Sequence, residues 1–323
     1  MKISLIFQKL KQKGIVGTVK ALLSRLPLPT KGPIKRFLNY QNLNSSKFVV
    51  DFVHEGGVKI TLPKIPMLNV IFGIGNTYKK HFQYYTRPNS EVLLRKTIYE
   101  LYRTEYLSKS ASIIDIGCWI ADNSLVWVSS LDDSALVLAI DPSKANLAYG
   151  KRLADFNNIS NVKWVEAVCS EKEGEELYFD GDLDHAMFKE KGGSYKFLVS
   201  TTLDRIVEKA GNISIGLVHI DVEGFEMSVL RGSRKLIEKN KPTIVFEQHI
   251  SSEDVSEVGD FLKGFGYQVF MINEVLPGCN FDCRNFIAFD SSKKLPVLEE
   301  FDQKNGKNLG IFSATFGPRL IEV

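Results

Sequence analysis

Residues 217–232, LVHIDVEGFEMSVLRG, begin as a strand and end as a helix, and the passage between the two decides the fold. Strand alternation sets His219, Asp221 and Glu223 on one side and Val218, Ile220 and Val222 on the other. One edge is apolar and the other acidic. Gly224 then breaks the pattern, and a helix follows to about Lys239 with Glu226 in its first turn. A strand that ends in carboxylates beside a helix start suits a cleft at a sheet edge. There the acids can move protons, hold a cation or accept hydrogen bonds from ligand hydroxyls.

Outward from this stretch the same alternation of elements repeats. SIIDIG, ALVLAID, NVKWVEAV, IGLVHID and PTIVFEQH are short apolar runs, most of them followed by a segment of helical period. Near-continuous apolar strands between helices predict a parallel sheet covered on both faces. YQVFMI and RNFIAF follow without a long helix between them and predict an antiparallel pair at one edge, making seven strands. Upstream, KFVVDFVHEGGVKITLP reads as a hairpin turning at Gly56-Gly57. A helix is expected from about Glu91 to Leu107, with Leu93, Leu94, Ile98, Leu101 and Tyr102 on one face.

In open α/β sheets, ligands bind beyond the carboxyl ends of the strands where strand order reverses. Three such ends carry candidate residues. Asp115 and Gly117 close one strand, and Ser124 lies at the start of the next helix, where free N–H groups collect. Asp141, before the strand-stopping Pro142, is placed to accept the two ribose hydroxyls of a nucleoside. Glu166, Ala167 and Val168 can flank an adenine ring, although Glu166 alone reads equally well as an ordinary loop residue.

A chain of 323 residues with a net charge of +3 can bury a sizeable core and carries no basic and aromatic repeat, so nucleic acid is not an expected partner. Its four cysteines, at 118, 169, 279 and 283, form no Cys-x-x-Cys pair and are expected as reduced thiols, with a loop disulfide or half of a metal site at Cys279 and Cys283 as the alternative. No run reaches the roughly 18 apolar residues of a membrane span, and the protein is expected inside the cell. Residues 1–38 hold nine Lys and Arg and no acid. They read either as a segment lying on an anionic membrane surface or as a solvated helix packed on the body.

Taken together, Asp115-Ile-Gly117, Asp141-Pro142, AVCSEKEG, TTLDRI at 201–206, HIDVEGFEMSVLRGSRKLI at 219–237 and PTIVFEQH resemble the successive blocks of the FkbM-type S-adenosylmethionine-dependent methyltransferases. The resemblance covers about residues 105–290. It implies a seven-stranded Rossmann-like sheet, mostly parallel with the last strand antiparallel and helices on both faces, behind an N-terminal α+β cap. It also implies S-adenosylmethionine as cofactor and methyl transfer to a hydroxyl of a sugar, glycolipid precursor or secondary metabolite. Cys118, Trp119 and Ala121 stand where the family pattern carries Ala, Asn and a second Gly, and His219 where a lysine is common. Ala121 needs a right-handed or extended backbone to avoid a steric cost, since only glycine enters the left-handed region freely.

On this reading Asp221 is the first choice for the base that takes the acceptor's proton, with Glu223, Glu247 and His249 as further catalytic candidates. Glu226 is better explained by the helix dipole. A divalent ion held by Asp221, Glu247 and His249 ranks below plain acid–base chemistry, so no metal ligand is assigned. The stretch HFQYYTRPN at 81–89 offers aromatic faces to an acceptor, or else core packing. An NAD-dependent oxidoreductase would need Gly-x-Gly-x-x-Gly after the first strand, which Gly117-Cys-Trp-Ile-Ala-Asp does not supply. A methyltransferase-like binding protein that has lost catalysis is the competing reading, favoured by Trp119 and Ala121. The expected organisation is a basic amphipathic segment over 1–45, the cap over 46–108, the catalytic domain over 109–292 and a C-terminal extension over 293–323.

Overall fold

The computed structural model of the chain describes residues 49–53, 59–63, 91–180, 187–188, 196–211, 213–249, 255–273, 283–298 and 318–323. The basic run 1–38, the Gly56-Gly57 turn, the aromatic stretch 81–89 and Cys279 lie outside the described residues. The chain divides into two units, residues 1–50 with 62–86 and residues 51–61 with 87–323.

Along the chain run β1 (Val49–Val53), β2 (Lys59–Pro63), α1 (Val92–Arg103), β3 (Ser112–Ile116), α2 (Asp122–Val128), β4 (Val137–Asp141), α3 (Lys144–Phe156) and β5 (Val162–Glu166). Then come β6 (Val168–Cys169), β7 (Glu176–Asp180), β8 (Met187–Phe188), β9 (Lys196–Thr201), α4 (Leu203–Ala210) and β10 (Ile215–Ile220). The last elements are α5 (Glu226–Arg231), α6 (Arg234–Asn240), β11 (Thr243–His249), α7 (Val255–Gly264), β12 (Tyr267–Ile272), β13 (Cys283–Asp290) and β14 (Leu320–Glu322).

β1 and β2, the two runs of the expected hairpin, form a two-stranded sheet. The central sheet has the order β14-β12-β13-β11-β10-β3-β4-β5. β11, β10, β3, β4 and β5 pair in parallel, whereas β13 runs antiparallel to both β11 and β12. The seven expected strands are present, and β14 from the C-terminal segment adds an eighth, antiparallel to β12.

Because every central strand is buried on both sides, alternate residues feed two cores. Ile114, Ile116, Val218, Ile220, Ile244 and Phe246 pack with Leu203 and Ile206 of α4, Val229 and Leu230 of α5 and Leu262 of α7. Ile113, Leu217, Val245 and Ile287 pack on the other face with Leu93, Leu94, Ile98 and Leu101 of α1 and Trp127 of α2. Burying each such aliphatic side chain stabilises the fold by about 1.5–3 kcal/mol.

NVKWVEAV, expected as one strand, splits in two. Ala167 donates to the Asp141 carbonyl at 3.3 Å while Val168 and Cys169 turn away to pair with β9. They join a small second sheet of order β6-β9-β7-β8. The LRG and TTLDRI blocks hold these layers together. A Cβ on Gly232 would sit 2.1 Å from the Ser170 carbonyl oxygen, so only glycine lets the α5–α6 turn close on the strand β6. The Asp204 carboxylate accepts the Leu236 N–H at 2.8 Å and the Lys235 N–H at 3.1 Å, capping α6.

Candidate active site at the strand ends

Strand order reverses between β3 and β10, and there the two backbones touch. The Asp221 N–H donates to the Ile116 carbonyl at 3.0 Å, and a Cβ on Gly117 would lie 1.7 Å from the Asp221 carbonyl oxygen. Gly117, at φ 73°, is therefore needed for strand-end contact as well as for turning.

The loop that follows incurs the steric cost named for Ala121. Ala121 is left-handed, at φ 63°, as is Trp119 at φ 48°. Each forfeits about 1–2 kcal/mol relative to a right-handed residue. The loop's anchors explain why they stay there. Gly117 and Cys118 donate to the Ile140 carbonyl, and the Trp119 N–H donates to Asp141 Oδ2 at 3.0 Å. Pinned to the end of β4 at three successive N–H groups, the loop reaches the start of α2 in the glycine-like conformation.

On the β3 and β4 side the carboxylates are surrounded by donors. Buried Asp115 accepts Ser124 Oγ at 2.5 Å on one oxygen and faces His219 Nδ1 at 2.8 Å on the other. Ser124 is fully buried in the third position of α2. Burial opposes a charge on His219, but the Asp115 carboxylate and its hydrogen bond outweigh it and raise the imidazole pKa. Asp141 accepts the Ser143 N–H at 2.7 Å and Asn146 Nδ2 at 3.2 Å on Oδ1. Burial lifts its pKa to about 7 against these hydrogen bonds. Of the roughly four lone-pair positions on a carboxylate, one on Oδ2 remains open. Beside it, buried Asn146 Oδ1 has no partner. Glu166 ends β5 opposite Asp141 and is exposed, with Ala167 next to it.

On the β10 and β11 side the acids face one another. Ile220 pairs with Phe246, so Asp221 and Glu247 are neighbours, and Glu247 in turn pairs with Asn285 of β13. Asp221 and Glu247 are hydrogen-bonded through their side chains. Burial raises the pKa of both; Glu223 raises that of Asp221 further and Asp221 that of Glu247, while the hydrogen bond from Glu247 lowers that of Asp221, so near neutrality the two share a proton. Asp221 is partly open, whereas Glu247 and Asn285 are buried beneath it. Glu91, at the start of α1, accepts Asn123 Nδ2 at 3.2 Å and Asn285 Nδ2 at 3.3 Å. Arg95 lies 3.6 Å from Glu91 and donates to Asp122 at 2.7 Å.

Glu226 has a structural task. Its Oε1 accepts the N–H of Gly224 at 3.0 Å and of Val222 at 3.4 Å, clamping the turn in which Glu223 and Gly224 are both left-handed. Glu223 is thereby turned toward His249, whose Nε2 lies 3.4 Å from its carboxylate. His249 Nδ1 lies 3.6 Å from Cys283 Sγ. Cys283 is disulfide-bonded, which overturns the preferred reading of reduced thiols in favour of the alternative at that cysteine; Cys118 and Cys169 are free.

Among the described residues no group of three His, Cys, Asp or Glu could hold a metal ion, and no helix is long and apolar enough to cross a membrane. A cavity of about 520 Å³ lies elsewhere, lined by α4 and α6 with Asp204, Arg205, Lys235 and Asn240 among its residues. The structure thus brings Asp221, Glu223, Glu247 and His249 together, and Asp115, Gly117, Ser124 and Asp141 beside them. Glu91, Asn146 and Asn285 join them without a sequence signal. Only the pairing of Asn285 with the already suspected Glu247 could have found one of them.

Residues 117–269 match the family described as Methyltransferase FkbM domain. The solved structure of methyltransferase FkbM from Methylobacillus flagellatus KT is similar at 17% identity and a TM-score of 0.42, over 56% of this chain and 44% of that one. This chain thus spans less than half the length of that protein. An S-adenosylmethionine-dependent methyltransferase from Agrobacterium tumefaciens is similar at 9% identity and a TM-score of 0.45, over 76% of this chain and 70% of that one. One from Aquifex aeolicus is similar at 11% identity and a TM-score of 0.37, over 66% and 98%. No curated protein matches. The matched segment runs from Gly117 through the Asp221 turn into β12, and over it the chain is similar to the FkbM methyltransferase domain.

Proposed function

We propose that the domain moves a methyl group from S-adenosylmethionine to a hydroxyl of a sugar, a glycolipid precursor or a secondary metabolite. The observation that carries this reading is the hydrogen-bonded Asp221–Glu247 pair, partly open at Asp221 and one backbone contact from Gly117 at the sheet's switch point.

The residues on the β4 side fit the nucleoside. The open position on Asp141 Oδ2 and the unpartnered Asn146 Oδ1 are two acceptors for the two ribose hydroxyls. Ala167 and Glu166 stand next to them for the base, and Asp115, Gly117 and Ser124 shape the turn toward the methyl-bearing end. Bound there, the cofactor supplies an electrophilic methyl on a positively charged sulfur. Asp221 accepts the proton of the acceptor hydroxyl as it attacks, and Glu247 takes a share of that proton through their hydrogen bond. Asp221 then returns it to solvent through its exposed side. Glu223 and His249 orient the acceptor at the mouth. A lipid-linked acceptor would suit the basic run 1–38.

The test is calorimetric titration with S-adenosylmethionine, followed by mass spectrometry of hydroxyl acceptors incubated with the protein. Cofactor binding with a mass gain of one methyl on oxygen supports the reading. Cofactor binding with no turnover of any acceptor would shift it to a binding protein, and no cofactor binding would end it.

A further inference from the structure

His219 belongs to neither side of the site and touches both. It stands on β10 in register with Asp115 of β3 and two residues before Asp221, whose charge reaches it. Its Nδ1 lies 2.8 Å from one Asp115 oxygen, while Ser124 Oγ donates to the other. The imidazole makes a T-shaped contact with the Trp127 ring, centroids 5.0 Å apart, and its Nε2 is buried without a hydrogen-bond partner. An imidazolium here rests its charge on one hydrogen bond, in a place where burial opposes that charge. The proton on Asp221 and Glu247 is instead held between two carboxyls. Of the two, the imidazole proton is the more easily displaced by a second cation at the end of β3.

We propose that His219 is a positioning residue that gives up its proton to solvent when the sulfonium of S-adenosylmethionine is bound at this strand end, and takes one back from solvent when the neutral thioether S-adenosylhomocysteine is left. This rests on the methyl-transfer reading and adds a proton count to it. Cofactor and product differ by one positive charge, and His219 makes up the difference, so that Asp115 faces one cation at a time. The charged groups that face His219 are Asp115 of β3, Asp221 at the end of its own strand and Glu91 ahead of α1. β11 sets Glu247 against Asp221, and Arg95 of α1 donates to Asp122 of α2 at 2.7 Å. The sign follows. At low pH the sulfonium must displace a proton and at high pH it need not, so the preference for S-adenosylmethionine over S-adenosylhomocysteine rises with pH.

The experiment is calorimetric titration of S-adenosylmethionine and S-adenosylhomocysteine at pH 7 in two buffers of different ionisation enthalpy, which counts protons directly. The parent protein should release ~0.5 proton or more per S-adenosylmethionine beyond the count for S-adenosylhomocysteine, and its preference for the sulfonium should rise ~3–10-fold from pH 6 to pH 8. His219→Asn, whose amide can still donate to Asp115, should bind S-adenosylhomocysteine within ~3-fold of the parent and lose that excess and that rise. The variant also subtracts the titration of the ligands' own groups, which is common to both proteins. Equal proton counts for the two ligands in the parent would overturn the proposal. So would an excess unchanged in His219→Asn, which would place the proton on Asp221 and Glu247. If the variant does not fold, nitrogen NMR of the parent with labelled histidine decides: one imidazole should turn from charged to neutral with S-adenosylmethionine and stay charged with S-adenosylhomocysteine, and no such change would overturn the proposal. Binding of neither ligand by the parent would overturn the methyl-transfer reading itself, and this proposal with it.

Discussion

The two sides of the switch point treat their carboxylates in opposite ways. Asp115 and Asp141 are each ringed by donors from Ser124, His219, Trp119, Ser143 and Asn146. Asp221 and Glu247 have chiefly each other. A carboxylate held by several fixed donors keeps its position, which is what recognition requires. Two buried carboxyls set against each other cannot both ionise cheaply, so the pair holds a proton near neutrality, which is what proton transfer requires. Under the proposed function this difference puts binding on β3 and β4 and chemistry on β10 and β11.

The sharpest way to break this division is Asp221→Asn, which should lower turnover by ~10²–10⁴-fold in a methyl-transfer assay while cofactor binding holds. Full turnover would move the base elsewhere. Gly117→Ala probes the seam between the two sides. With a Cβ placed 1.7 Å from the Asp221 carbonyl oxygen and a left-handed φ, it should cost on the order of 4 kcal/mol or more in denaturant unfolding. A cost under about 1 kcal/mol would mean that the strand ends separate easily.

The pH dependence of stability reads the acid pair directly. For Asp221 the folded pKa is raised, so the folded state holds a proton the unfolded chain has lost. Stability from this group is full below the ordinary value of 3.8 and falls as pH rises toward about 8. Glu247, raised in the same direction, adds to this slope. Glu247→Gln should flatten it in unfolding midpoints measured across that window, and an unchanged slope would remove the shared proton. The smallest effect is expected from Ala121→Gly, which relieves a left-handed alanine and should stabilise the protein by about 1 kcal/mol.

The sheet was legible because buried parallel strands are written as apolar runs, and the α1 face was legible from its helical spacing. β14 escaped because its three residues, LIE, make no run. The small second sheet escaped because the break at Ala167 depends on where the Asp141 carbonyl lies. The left-handed Ala121 is not written in the sequence, since local sterics set only the cost of such a residue, while three hydrogen bonds from the loop to β4 and Asp141 decide that it is incurred. Among site residues, the acids at strand ends followed from alternation. Glu91, Asn146 and Asn285 are polar residues on α1, α3 and β13 whose roles come from the neighbours that tertiary folding brings to them.

The division between the two sides is tested most directly by calorimetric titration of S-adenosylmethionine into the parent protein, Asp141→Ala and Asp221→Asn. The account predicts binding to the parent, a dissociation constant raised ~10–100-fold by Asp141→Ala, and little change in Asp221→Asn. Equal binding by the parent and Asp141→Ala, or loss confined to Asp221→Asn, would contradict it.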